Sequence, residues 1–219
     1  MMRRSDEEIM RTDELIHRLS NEAGMKDDVA MPFGRALGLS VMLSLAASLL
    51  VVVSVSGLRP DLSATLTAWM FQYKVVAMAL LACGGVILAR AAGTPGVAIR
   101  PVLTLLPGIL FLLAGVFLDR SDFPLMGARQ LSALRCVGII VAASVPGLII
   151  IMAGLRSGIP TRLACAGTIS GILSGSLAAL AYTIACINDG ALFVAIWYLA
   201  AIFITTAIGA VAGRYALAW

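Results

Sequence analysis

Six long apolar runs constrain this chain more than any other feature of its sequence. They are residues 36–56, 75–92, 101–118, 136–155, 163–186 and 191–213. Their interiors hold no acidic residue, lysine or histidine, and Arg90 lies near the end of the second run. A helix of about 20 apolar residues crosses the hydrocarbon core of a bilayer, where backbone polar groups have no solvent partners. We therefore predict an all-α polytopic membrane protein built as a six-transmembrane-helix bundle.

Composition supports the same class of protein. The chain is 60% hydrophobic and only 13% charged, whereas soluble domains are about half apolar and a quarter charged. The net charge of +4 is typical of the basic loops of membrane proteins and does not indicate nucleic-acid binding.

The loop charges predict the orientation of the bundle. With the N-terminus in the cytoplasm, that side holds eleven of the 16 basic residues: Arg3, Arg4, Arg11, Arg18, Lys26, Arg35, Arg90, Arg100, Arg156, Arg162 and Arg214. The outer side holds the other five: Arg59, Lys74, Arg120, Arg129 and Arg135. Cytoplasmic loops carry the excess of Lys and Arg, so we expect both termini to be cytoplasmic.

A polar segment, residues 1–33, precedes the transmembrane domain, residues 34–219. Apolar residues recur there at spacings of three and four, which predicts one face of a short helix: Ile9, Thr12, Ile16, Leu19 and Ala23, widened by Leu15. Such a helix could lie on the membrane surface, or its apolar face could enter a groove of a cytoplasmic partner. His17, the only histidine, is predicted to be a solvated surface residue of this helix.

The first outer loop is predicted to form an interfacial helix. Its shared apolar face consists of Leu62, Leu66, Trp69, Met70 and Tyr73. Aromatic side chains favour the headgroup region of the bilayer, so this helix would lie between the first two spans.

In this topology the four cysteines lie at different depths in the membrane. Cys83 lies in the middle of the second span and Cys165 near the inner end of the fifth, whereas Cys136 and Cys186 both lie at the outer face. The outer two could be unrelated small residues, a static disulfide, or a thiol pair that senses oxidants or thiophilic metals. No outer histidine is present to complete a Cys/His zinc site.

Small residues mark a close helix contact in the last two spans. Gly167, Gly171, Gly175 and Ala179 share a face of the fifth, and the sixth carries Gly209 and Gly213. This spacing lets helix backbones approach closely. It predicts a packing seam within the bundle or, alternatively, the face of a homodimer.

Motifs for catalysis are missing from the sequence. There is no Gly-rich phosphate loop, no nucleophile–base pairing and no buried carboxylate pair, so we do not predict an enzyme or a bound cofactor. A small transporter or channel for a metal or small solute is an alternative, although transporters usually place ionisable residues within their spans.

The ordered set of short motifs resembles the NrsF family of bacterial membrane anti-sigma factors. The matching elements are Arg11–Ile16, Leu58–Leu62, Phe71, Lys74, Thr94–Gly96, Cys136, Ile159–Pro160, Ala166–Gly167, Tyr182, Cys186, Trp197–Tyr198, Gly209, Gly213 and Trp219. Members of the family commonly begin near the first of these elements, so the first nine residues are expected to be an extension.

This resemblance implies a multi-pass protein of the bacterial inner membrane that holds an extracytoplasmic-function sigma factor inactive. The N-terminal segment would be the contact, and the partner-binding residues would be Thr12, Asp13, Leu15, Ile16 and Leu19. A periplasmic stress signal would release the sigma factor. Cys136 and Cys186 match the outer cysteines of the family and would be the sensor, with a thiophilic metal as one possible signal.

Overall fold

The computed structural model describes residues 12, 14–18, 20, 32–94, 96–97, 100–121, 123–127, 132–158 and 162–216. Contacts divide the chain into two units, Met1–Pro32 and Phe33–Trp219.

Residues 12, 14–18 and 20 of the first unit are helical, as predicted. Glu14 and Arg18 form an ion pair of 3.1 Å one helical turn apart, and Leu15 and Ile16 are 57% and 58% exposed. His17 is also exposed. This segment therefore presents two large apolar side chains at its surface.

The second unit contains seven helices within the described residues. They are α1 (Phe33–Ser56), α2 (Leu62–Thr65), α3 (Trp69–Gly93), α4 (Pro101–Leu118), α5 (Ser132–Leu155), α6 (Leu163–Tyr182) and α7 (Ala191–Ala216). All except α2 are long and apolar enough to cross a membrane. The predicted six-span all-α fold is confirmed.

The helices differ from the predicted apolar runs at several of their ends. The largest difference is at α3, which begins at Trp69 rather than at residue 75, and the helix in the loop before it, α2, has four residues. Helix α3 passes through Lys74, whose buried ammonium group pairs with Asp189. Smaller differences occur at the start of α1 (Phe33), the start of α5 (Ser132), the end of α6 (Tyr182) and the end of α7 (Ala216).

Helix α6 lies inside the bundle, and most of its side chains are buried. Its glycine face packs against α7, since a methyl group added to Gly167 would overlap the backbone of Gly209 and Gly213. Gly171 meets the backbone of Thr205 in the same way. The predicted packing seam is confirmed, and it joins two helices of one chain.

Helix α1 packs on α5 through small polar residues. The Ser48 hydroxyl donates a hydrogen bond of 3.0 Å to the Ala143 carbonyl oxygen. One turn earlier, Ser44 lies against Gly147. The Ser44 Oγ is buried without a hydrogen-bond partner among the described residues. This contact is close, and the hydrogen bond from Ser48 to Ala143 crosses it.

The spans alternate in direction, which gives the bundle two distinct ends. The thiol end carries Cys136 and Cys186 together with the last residue of α1, Ser56. The opposite end, where α1 begins at Phe33, is called the N-terminal end. At the N-terminal end the Phe33 ring fills the space left by Gly93, so the start of α1 is packed firmly against α3.

Candidate functional site: a buried thiol pair

Cys136 and Cys186 lie next to each other at the thiol end. Cys136 is in the second turn of α5, and Cys186 lies in the turn that follows α6, where its N–H bonds to the Tyr182 carbonyl oxygen at 3.1 Å. The two sulfur atoms are 3.8 Å apart. Both residues are free thiols and 1% exposed. The structure therefore makes the two sulfur atoms direct neighbours.

Polar groups surround both sulfur atoms. The Cys136 thiol donates to the Tyr182 phenol oxygen at 3.3 Å, and the Asn188 amide lies 3.7 Å from the same sulfur. The Cys186 thiol donates to the Asn188 carbonyl oxygen at 3.9 Å. Asn188 is itself held by Ser132, whose hydroxyl oxygen accepts from its amide at 2.6 Å. The orientation of both thiols is therefore fixed by neighbouring side chains.

Tyr198 of α7 completes the cluster. It is fully buried, its ring centroid lies 6.1 Å from that of Tyr182, and its hydroxyl faces the Cys186 thiol. The two tyrosines and the two thiols therefore form one buried group of polar side chains.

A cluster of charges lies beside the thiols. Lys74, with no exposed side-chain surface, places its Nζ 2.7 Å from Asp189. The Arg59 guanidinium binds the other oxygen of Asp189 at 2.8 Å and Asp61 at 2.6 Å. It also donates to the Cys186 carbonyl oxygen at 3.3 Å. The turn that carries Cys186 is thus held by cations from two other parts of the chain.

The charge cluster determines the ionisation of Asp189. Burial alone would raise the pKa of this carboxyl group, but the hydrogen bonds from Arg59 and the charge of Lys74 outweigh it and lower the pKa below its ordinary value. Asp189 is therefore ionised at neutral pH.

The loop between α4 and α5 packs beside the site. The Asp119 carboxylate accepts the N–H of Ala191 at 2.6 Å, and the Trp197 indole donates to the Leu125 carbonyl oxygen at 2.7 Å. Gly127 has a φ of 91°, a conformation that favours glycine. A methyl group there would meet Ser132. These contacts hold the described part of the loop against α7 and the start of α5.

Two kinds of chemistry suit this arrangement. The sulfur atoms could be joined by an oxidant, or they could act as two soft ligands for a thiophilic metal. No group of three or more His, Cys, Asp and Glu side chains occurs among the described residues. A conventional four-ligand zinc site is therefore not formed by the side chains that the structure describes.

The structure describes most, but not all, of the predicted site residues. It brings Cys136 and Cys186 together, and it shows Thr12, Leu15 and Ile16 as helical, whereas Asp13 and Leu19 lie outside the described residues. Nothing in it tests whether the N-terminal residues bind a partner.

Sequence reasoning missed the side chains that support the thiols. They are Arg59, Lys74, Ser132, Asn188 and Tyr198. One signal was available, because a lysine at the entrance of a span needs a carboxylate, and only four acidic residues follow residue 28.

Comparisons with known proteins agree on one family. The NrsF family, described as "Negative regulator of sigma F", matches residues 22–219. The chain is 30% identical to Anti-sigma-F factor NrsF of Caulobacter vibrioides, over 96% of this chain and 100% of the relative. It is 28% identical to Probable anti-sigma-F factor NrsF of Azospira oryzae, again over 96% of this chain and 100% of the relative. No solved structure gives a significant match.

Proposed function

The chain belongs to the NrsF family, and we propose on that basis that it is a membrane-bound anti-sigma factor. The family is regulatory and non-enzymatic, which confirms the prediction that the chain is not an enzyme. The observation that carries the proposal is a full-length match to a relative named as an anti-sigma factor. No comparable observation favours the transporter or channel alternative.

The partner that we propose is an extracytoplasmic-function sigma factor bound by the N-terminal segment in the cytoplasm. Exposed Leu15 and Ile16 on a helix support this assignment, because an amphipathic helix binds by placing its apolar face in a groove. A sigma factor held in this way at the inner membrane cannot join RNA polymerase.

The signal that we propose is a periplasmic oxidant or thiophilic metal acting on Cys136 and Cys186. A hydroperoxide would join the two sulfurs while being reduced to an alcohol and water, and each thiol would lose its proton. The separation of 3.8 Å between the sulfurs supports this reaction. The modified state must then have a lower affinity for the sigma factor than the reduced state.

Replacing Ile16 by Glu should release the sigma factor. A carboxylate on the apolar face of the helix would have to be buried in the groove without a partner, which is strongly unfavourable. The measurement is co-purification of a sigma factor with the tagged chain from membranes, identified by mass spectrometry. His17→Glu, the adjacent position on the other face, is the matched control and should retain the partner. Equal recovery with both variants would contradict the docking helix.

Replacing either thiol should abolish induction and leave repression intact. Cys136→Ser and Cys186→Ser remove one sulfur each, so neither a disulfide nor a two-thiolate metal site can form. The measurement is a reporter gene under the sigma factor, with and without hydroperoxide or cadmium. Cys83→Ser and Cys165→Ser, which lie outside the cluster, are matched controls and should respond normally. A normal response of both outer-thiol variants would refute the sensor.

A further inference from the structure

We infer that α1 transmits the state of the thiol pair to the N-terminal segment and that Arg59 is the residue that couples them. This inference rests on the proposed sensing function of Cys136 and Cys186 and adds how that site controls a segment on the other side of the membrane.

Arg59 fastens the end of α1 to the turn that contains Cys186. It follows Ser56, the last residue of α1, by three positions. Its backbone N–H donates to the Ile184 carbonyl oxygen at 3.2 Å, and its guanidinium donates to the Cys186 carbonyl oxygen at 3.3 Å. The side chain is only 9% exposed. A movement of this turn must therefore displace the end of α1 or break several hydrogen bonds.

Asp189 strengthens the same connection. Its two carboxylate oxygens accept from the Arg59 guanidinium at 2.8 and 3.1 Å, and one of them also accepts from the buried Lys74 at 2.7 Å. The Asp189 carboxylate thus links residues 184–189 to the chain after α1. Separating them would cost free energy, because it breaks a buried charge pair.

The second thiol also lies on a neighbour of α1. Cys136 belongs to α5, which α1 contacts through Ser40, Ser44 and Ser48. Large side chains that interlock resist sliding, whereas a surface of serine and glycine presents little obstacle to it. Helix α1 and the residues after it therefore contact both elements that hold the sulfur atoms. Arg59 hydrogen-bonds to the turn with Cys186, whereas the contact with α5, which contains Cys136, consists of small side chains.

Modification of the thiols would pull on this connection. Joining the sulfurs shortens their separation from 3.8 Å to about 2 Å. The turn that carries Cys186 must then approach α5, and Arg59 carries the end of α1 with it. Helix shifts of about 1–2 Å are sufficient for known allosteric transitions. Because α1 begins at Phe33, directly after the N-terminal segment, the shift reaches the point where that segment is attached.

The test is Arg59→Ala in the full-length chain in its native membrane. Thiol oxidation is measured by mass-tag alkylation after hydroperoxide treatment, and release by co-purification of the sigma factor. We expect the thiols of Arg59→Ala to be oxidised as in the unchanged chain. Release of the sigma factor should be reduced by about 5–150-fold, the change in affinity that typical allosteric coupling produces. Arg120→Ala is the matched control, an exposed outer arginine without an ion pair to any described residue, and should release normally.

Each other outcome has a definite meaning. Normal release from Arg59→Ala would overturn the inference. So would a loss of thiol oxidation in that variant, because Arg59 would then act on the thiols rather than on transmission. If Arg59→Ala does not accumulate in membranes, Arg59→Lys decides by the same two measurements, since lysine keeps the charge near Asp189 but loses the forked contacts. Release from the unchanged chain without thiol modification would instead refute the proposed sensor.

Discussion

Lys74 is a fully buried ammonium group, and its ion-pair partner within the described residues is Asp189. Removing such a charge from water costs several kcal/mol, which only close and well-oriented partners can offset. Asp189 is in turn oriented by Arg59. The three side chains therefore form one electrostatic unit. Loss of its central carboxylate, that of Asp189, should destabilise the whole thiol end.

Asp189→Asn should destabilise the bundle by roughly 3–5 kcal/mol, because it leaves Lys74 buried without a counter-charge. The measurement is the thermal unfolding midpoint in detergent. Asp61→Asn, which removes only an exposed partner of Arg59, should have a much smaller effect. Similar midpoints for both variants and the unchanged chain would contradict the electrostatic unit.

The difference in stability between the unchanged chain and Asp189→Asn should depend on pH. The pKa of Asp189 is lowered in the folded state, so its contribution to stability is present above its unfolded pKa of about 3.9. That contribution is lost as the pH falls through the lower folded value. The advantage of the unchanged chain over Asp189→Asn should therefore begin to decline below about pH 4. It should disappear once the pH has fallen below the lowered pKa of Asp189 in the folded state.

Helices α6 and α7 depend on glycine for their close contact. The Cβ of an alanine at Gly167 would meet the backbone of Gly209 and Gly213, and backbone atoms cannot move aside as the end of a side chain can. In a bilayer, helix association depends on such packing because lipid tails are as apolar as the helices themselves. The seam joins the two helices that the turn with Asn188 and Asp189 connects.

Gly167→Ala should lower the stability of the bundle by about 1–3 kcal/mol, the usual cost of overpacking. The check is the unfolding midpoint in detergent. Gly138→Ala is the matched control, since no atom lies within 4 Å of the added methyl group and alanine favours a helix. Gly138→Ala should be neutral or stabilising, and equal losses at both sites would argue against the seam.

The sequence predicted helices better than it predicted their ends. Apolarity alone located the interior of all six spans, and the third, Pro101–Leu118, was predicted with both boundaries. The start of α3 was misplaced because Lys74 carries a charge and charges normally end a span. Its compensating carboxylate lies 115 residues further along the chain, a pairing that local patterns do not contain.

For the candidate site, the sequence predicted only the depth of the two cysteines along their spans. Topology placed Cys136 and Cys186 at one face, but their separation of 3.8 Å depends on how α5 and α6 pack. The contribution of Arg59 could not be predicted at all, because it arises from a loop that folds onto another loop.

At the scale of the whole molecule, the thiol pair and the start of the bundle lie at opposite ends of α1. The 24 residues of α1 extend about 36 Å at 1.5 Å per residue. The thiol pair lies at one end of that helix, and the N-terminal segment precedes the other. The orientation that places the thiols in the periplasm and both termini in the cytoplasm stays a prediction, supported by the distribution of basic residues.

The ion pair between Lys74 and Asp189 also sets an order of events during synthesis. A ribosome adds about 5–20 residues per second, so the 115 residues between the two partners take on the order of 10 s to appear. Throughout this interval Lys74 lacks the carboxylate that pairs with it in the folded bundle, so we expect its ammonium group to extend to the water at the membrane surface. We therefore expect this end of α3 to reach its final position only after Asp189 has been made.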